Sequence, residues 1–253
     1  MDSADKVEST REIEDKTRLR KSFRIAFVFL FILWAVKLFE YFSGIELTEF
    51  GIYPQKAKGL IGILTSPLIH ANFSHLISNS ATLFFLTFGL FYFYRKSAVD
   101  IFILIYILGG IIVWVTARPA YHIGASGLIY GFASFLFFSG VFRKDTSSIA
   151  LSLLVTFLYG GLVWGILPTD AEVSFESHFA GAMLGLICAV AYRKKDPVKK
   201  YDWEDEEENT DETCEEEDVP IDEDADEVHF REDELYDEEL EEIKRKYYKK
   251  DEF

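Results

Sequence analysis

The sequence predicts an all-α membrane protein, with six transmembrane helices followed by a largely disordered acidic tail. Three observations lead there. Six apolar stretches each approach the roughly 20 residues that a helix needs to cross a hydrocarbon core of about 30 Å. None of them alternates as a membrane barrel strand does, and each is too long for one. Finally, the charge is divided between two unlike parts. Residues 201–253 hold 27 Asp and Glu against 6 Lys and Arg, a local net charge of −21, whereas residues 1–200 carry nearly all the hydrophobic residues and a net charge of +5. The whole-chain charge of −16 and mean hydropathy of +0.09 are averages that describe neither part.

Residues 1–22 mix acids and bases and read as a cytoplasmic N-terminal segment. The first apolar stretch, 25–42, runs into Ser43-Gly44-Ile45 without a small-x-small cleavage site, so it reads as a retained anchor and not a cleaved signal. Residues 43–67 form the longest connection. There Glu46, Glu49, Tyr53 and Pro54 alternate with Ile45, Leu47, Phe50, Ile52, Leu60 and Ile63, which suits a segment lying in the membrane interface. The remaining spans are expected at 73–94, 101–117, 123–142, 149–167 and 175–192.

Orientation follows from the short loops. Arg18, Arg20, Lys21 and Arg24 precede the first span, Arg95 and Lys96 follow the second, Arg143 and Lys144 the fourth, and Arg193, Lys194 and Lys195 the sixth. The opposite loops offer only Lys56, Lys58 and Arg118, with Lys37 near the outer end of the first span. This bias places both termini in the cytoplasm, for a multi-pass protein of the plasma (inner) membrane.

Residues 23–195 are thus expected to form the six-helix body and 196–253 the acidic tail. Residues 201–228 have too few large apolar residues to offset chain entropy and should be disordered. Over 232–250, Leu235, Leu240, Ile243 and Tyr247 fall at near-helical spacing with acids first and bases last, the charge order of a short helix. Cys188 and Cys214 are too few and too far apart for a disulfide framework, and without neighbouring His or Cys pairs they make no zinc site. No metal, cofactor or nucleic acid is called for.

Polar residues inside spans are costly, so each needs a reason. Ser126 stands in Gly124-Ala125-Ser126-Gly127 at the head of the fourth span, and His178 in Ser177-His178-Phe179-Ala180-Gly181 at the head of the sixth. Gly127 and Gly131 form one small-xxx-small ridge, and Gly181 and Gly185 another; such ridges let helix backbones approach closely. His178 shares a face with Gly181 and Gly185, so packing the ridges together brings the Ser126 hydroxyl near the His178 ring as nucleophile and base. Tyr130, one turn after Ser126, is placed to pack against that imidazole. His75 and Asn79, at i and i+4 on the second span, can donate hydrogen bonds to an oxyanion together with the Ser126 N–H. His70 is read as ordering the outer end of that span. His122 and His229 receive no role.

Each of these residues alone has an ordinary explanation: a serine in a helix contact, a histidine at a membrane surface, an asparagine bonding between helices. Their joint placement at the outer halves of three spans does not. Three segments then resemble the signature of rhomboid intramembrane serine proteases: His70-Ala-Asn-Phe-Ser-His75-Leu-Ile-Ser-Asn79, Gly124-Ala-Ser126-Gly127-Leu-Ile-Tyr130-Gly131 and His178-Phe-Ala-Gly181-Ala-Met-Leu-Gly185. The resemblance covers roughly residues 23–195 in the family's order.

It implies a serine endopeptidase acting on single-span or multi-span membrane proteins within the lipid bilayer. Ser126 would be the nucleophile and His178 the general base, a dyad with no aspartate. His75 and Asn79 would be oxyanion donors, Tyr130 the support of the base, His70 a structural histidine, and Gly124 and Gly127 the shapers of the nucleophile turn. The chain departs from many relatives in lacking a Trp-Arg pair in its first outer loop, which leaves that loop's fold open. The alternative is a noncatalytic rhomboid-like protein that binds client transmembrane segments; such relatives typically lack the serine or the histidine, and both are here.

Overall fold

The computed structural model describes residues 3–143, 146–167 and 174–196. These belong to a compact unit covering residues 1–199, separate from residues 200–253. The expected disorder over 201–228 and short helix over 232–250 lie outside the described residues.

Among the described residues the fold is all-α. Its helices are α1 (Ser3–Ser43), α2 (Gly62–Thr65), α3 (Phe73–Phe93), α4 (Ala98–Thr116), α5 (Ser126–Arg143), α6 (Thr146–Tyr159) and α7 (Phe175–Tyr192). Apolar sequence explains the long ones: in hydrocarbon every backbone N–H and C=O must be satisfied within the segment, and a helix does this. Local chemistry sets their ends. Gly44, at φ +68, closes α1 in the left-handed conformation with its N–H on the Glu40 carbonyl at 3.0 Å. Asn72 caps α3 by accepting the His75 N–H at 2.8 Å.

Among the described residues, five helices are long and apolar enough to cross a membrane: Glu12–Ser43 within α1, and α3, α4, α5 and α7. The fifth expected span, 149–167, takes a different form. Its α-helix covers only the 14 residues of α6, and the chain continues through Gly160 and Gly161 as a 3-10 helix, Gly160–Ile166. Paired glycines hold an α-helix poorly, which permits the change of winding. Two other boundaries also differ from the reading of the sequence. The first helix begins some twenty residues before its apolar stretch, and Glu12–Lys16 is one ion pair at 2.6 Å supporting that extension. The fourth span starts at Ser126 and not at 123, because Gly124 breaks the approach with φ +106.

The centre of the body is α5. Half of its span is buried within the protein, against 22% for α4 and 17% for the α1 span. It packs against α3, α4, α6 and α7, burying Phe132, Phe135 and Leu136 completely. The connection before α3 lies close over α4. Gln55 N–H bonds the Trp114 carbonyl at 2.9 Å, the Trp114 indole donates to the Lys56 carbonyl at 3.0 Å, and Tyr106 donates to the Leu64 carbonyl at 2.5 Å. A two-way backbone bridge between Ile52 and His122 ties this loop to the approach to Ser126. At the other end of the body, Asp196 is buried. Its carboxylate accepts the Lys96 N–H at 2.7 Å and the Ser97 hydroxyl, covering the start of α4.

Candidate active site

Ser126 opens α5, and the turn before it explains why glycine stands at 124. The Gly124 N–H bonds the Ser66 carbonyl at 2.9 Å, φ is +106, and a Cβ would come within 2.8 Å of the His75 ring. Both the backbone angle and the space exclude a side chain. Ser126 is thereby held half-exposed at the wall of a cavity of about 530 Å³, also lined by His75, Asn79, Tyr130, Ser174 and His178. The Ser126 hydroxyl makes no hydrogen bond among the described residues. Catalytic contacts are often long in the unliganded state and tighten with substrate.

His178 is buried, in the first turn of α7, and held on two sides. Its ring stacks on Tyr130 with centroids 4.1 Å apart and planes 10° from parallel. Its Nδ1 lies 2.8 Å from the Gly165 carbonyl. A carbonyl only accepts, so Nδ1 carries the proton and Nε2 keeps the lone pair that a base requires. Gly165 belongs to the 3-10 segment after α6, and a Cβ there would strike the Tyr130 hydroxyl and approach His178 Nδ1 to 3.3 Å. The sequence reading had no means to find this carbonyl, since a backbone acceptor has no residue signature.

The two glycine ridges meet directly. A Cβ on Gly181 would collide with the Gly127 carbonyl, and one on Gly185 with the Gly131 carbonyl. Beside them, the Ser134 hydroxyl donates to the Ala182 carbonyl across the helix pair at 2.7 Å. Close approach of α5 and α7 brings the Ser126 and His178 turns to one cavity.

On α3, His75 is half-buried and Asn79 buried, and both face the cavity. Asn79 Nδ2 lies 3.3 Å from His70 Nε2. Burial, reinforced by the neighbouring His75 and Lys37, pushes the His70 pKa down to about 4. Neutral His70 can therefore accept one Asn79 N–H and leave the other for the cavity. A buried lysine anchors the loop that carries His70: Lys37 donates to the carbonyls of His70 at 2.9 Å and Ala71 at 3.1 Å, and pairs with Glu40 at 2.7 Å. A charge within an apolar stretch signals such a task, which counting Lys37 only toward membrane orientation does not reveal.

Against this geometry, the family model described as Rhomboid domain matches residues 57–195. The chain belongs to the rhomboid family. Beyond that model, an uncharacterized protein of Mycobacterium tuberculosis is 37% identical over 175 residues, covering 64% of this chain and 71% of that protein. An uncharacterized protein of Mycobacterium leprae is 31% identical over 170 residues, 64% of this chain and 67% of its own length. A Bacillus subtilis protein, YdcA, whose name assigns it provisionally to the rhomboid proteases, is 28% identical over 141 residues, 53% of this chain and 68% of that one. The Rhomboid match takes in every candidate site residue from His70 to Gly185. With five membrane-length helices besides, this rhomboid is a multi-pass integral membrane protein.

Proposed function

We propose that this rhomboid is an intramembrane serine endopeptidase that cleaves transmembrane substrates through Ser126 and His178. The observation that carries the reading is the state of His178: its Nδ1 is committed to the Gly165 carbonyl and its ring fixed on Tyr130, beside a cavity shared with Ser126. Ser126 attacks the scissile carbonyl carbon while His178 Nε2 accepts the hydroxyl proton. The oxyanion is met by His75, by the free Asn79 N–H and by the Ser126 backbone N–H. His178 then returns its proton to the departing amine, leaving an acyl-enzyme. Water, deprotonated by the same Nε2, attacks the ester, and His178 returns that proton to the Ser126 oxygen as the carboxyl product leaves.

In this reading Tyr130 and the Gly165 carbonyl hold the base in one tautomer, and His70 holds Asn79. Gly124 and Gly127 shape the nucleophile turn, while Gly131, Gly181 and Gly185 set the helix spacing. A sixth crossing is supplied by α6 and its 3-10 continuation. Fourteen α-helical residues at about 1.5 Å and seven 3-10 residues at about 2.0 Å reach about 35 Å, enough for a core of about 30 Å. Both termini then face the cytoplasm of a plasma (inner) membrane, as the loop charges favour. The provisional rhomboid protease name of the Bacillus subtilis relative supports the same activity.

The test is cleavage of a single-span substrate by the purified protein in lipid, with Ser126→Ala alongside. The wild type should cut and react with a fluorophosphonate at Ser126, and the variant should do neither. Cleavage by pure Ser126→Ala would refute the assignment. Intact binding of the substrate without cleavage by the wild type would favour the noncatalytic alternative.

A further inference from the structure

His122 lies four residues before Ser126, is 3% exposed, and lines the same cavity as Ser126 and His178. Both of its ring nitrogens are engaged. Nε2 lies 3.1 Å from the Arg118 carbonyl, which can only accept, so Nε2 carries the proton. Nδ1 then holds a lone pair and accepts the Ser174 hydroxyl at 2.6 Å. Ser174 is the N-cap of α7: its oxygen takes the Ser177 N–H at 3.3 Å and meets the Ser177 hydroxyl at 2.7 Å. The next residue is His178, whose own N–H bonds the Ser174 carbonyl at 3.3 Å. On its backbone, His122 is paired in both directions with Ile52, at 2.8 and 3.0 Å. One residue, through its backbone and its imidazole, thus joins the outer loop, the approach to the nucleophile and the first turn of the helix bearing the base.

We propose that His122 is a positioning residue that fixes the Ser126 turn relative to His178 through Ser174. Burial lowers its pKa, which favours the neutral ring this arrangement needs; the hydrogen bond to the Arg118 carbonyl and the Glu176 charge work against that shift, and the Arg118 guanidinium works with it. His122 touches no reacting atom in this scheme. It acts by holding two elements in register, and a misplacement of about 1 Å at a reacting centre can cost about a hundredfold in rate. The proposal rests on the reading of Ser126 and His178 as the dyad.

The experiment compares kcat and KM of the full chain in lipid, using one single-span substrate, for wild type and for His122→Phe, His122→Gln, His122→Asn, Ser174→Ala and Ser126→Ala. The phenylalanine fills the space and removes both hydrogen bonds. Glutamine can reproduce Nε2 and reach the Arg118 carbonyl, whereas asparagine can reproduce Nδ1 and keep Ser174. Phe, Gln and Ser174→Ala should lower kcat by about tenfold to a hundredfold, with KM within about twofold of wild type. Asn should retain at least about ten times the kcat of Gln, if Ser174 is the link that matters. Wild-type kcat in folded His122→Phe and Ser174→Ala, or equal losses in Asn and Gln, would overturn the proposal, as would a change confined to KM. Should His122→Phe fail to fold, Ser174→Ala and the Asn and Gln pair decide it. Cleavage by Ser126→Ala would instead strike the dyad reading, a result separable from all of these.

Discussion

Asn79 and His70 show how single side chains divide the work at this site. With one Asn79 N–H directed to His70, the amide is held in a fixed orientation and not left to rotate. Replacing Asn79 by Ala should cut kcat by roughly a hundredfold or more while leaving measurable cleavage, the usual cost of one oxyanion donor. Single-turnover kinetics would read this directly, and an unchanged rate would remove Asn79 from the oxyanion set. His70 carries a second consequence, in stability. Its folded-state pKa of about 4 lies below the ordinary 6.5, so the unfolded chain binds the proton first as pH falls. The stability of neutral His70 is whole above pH 6.5 and drains away toward pH 4, by about 3 kcal/mol in all. Unfolding measured across that window should depend less steeply on pH in His70→Gln; identical slopes would mean another group is responsible.

At the scale of elements, the closeness of α5 and α7 is the geometric requirement. Gly181→Val puts branched carbons where the Gly127 carbonyl already lies, so the helices must part. No chemical group is lost, yet kcat should fall by about a hundredfold through misplacement alone. A folded Gly181→Val enzyme with wild-type turnover would show that the contact is incidental. The 3-10 segment makes a parallel case. Gly165→Ala forces a methyl against the Tyr130 hydroxyl and beside His178 Nδ1, and should lower kcat with little effect on KM. Loss of turnover in Gly165→Ala with retained substrate affinity is the result that identifies this segment as the support of the base.

For the whole molecule, the candidate machinery ends at Gly185 and the packed body is described to Asp196, where the buried carboxylate closes on α4. A chain ending at Lys200 should therefore cleave a single-span substrate at a rate close to that of the full protein, and complete loss of turnover in a folded truncation would mean the acidic tail is part of the machinery. Orientation has its own test. In Asp205→Cys, an impermeant thiol reagent should label position 205 only after the membrane is opened, with Cys214 replaced by Ser to isolate the signal. Labelling from outside intact cells would reverse the proposed topology.

Much of the fold was legible because hydrocarbon imposes a simple rule. Long apolar runs without interior proline must become helices, and α3, α4 and α7 fall within a few residues of the stretches read from sequence. The placement of Ser126, His178, His75 and Asn79 was legible for a related reason, since polar groups in such runs are expensive and stand out. What sequence could not supply were the partners that are backbone or distant. The Gly165 carbonyl on His178 and the Lys37 ammonium on the His70 loop arise only when separate segments meet, over separations of 13 and 33 residues. The change from α to 3-10 winding after Tyr159 was likewise settled by packing, because two glycines permit either path and local preference alone does not choose. Composition and period thus set the helices and mark the reactive groups, while hydrogen bonds between chain-distant atoms decide the tautomer and the orientation on which chemistry would depend.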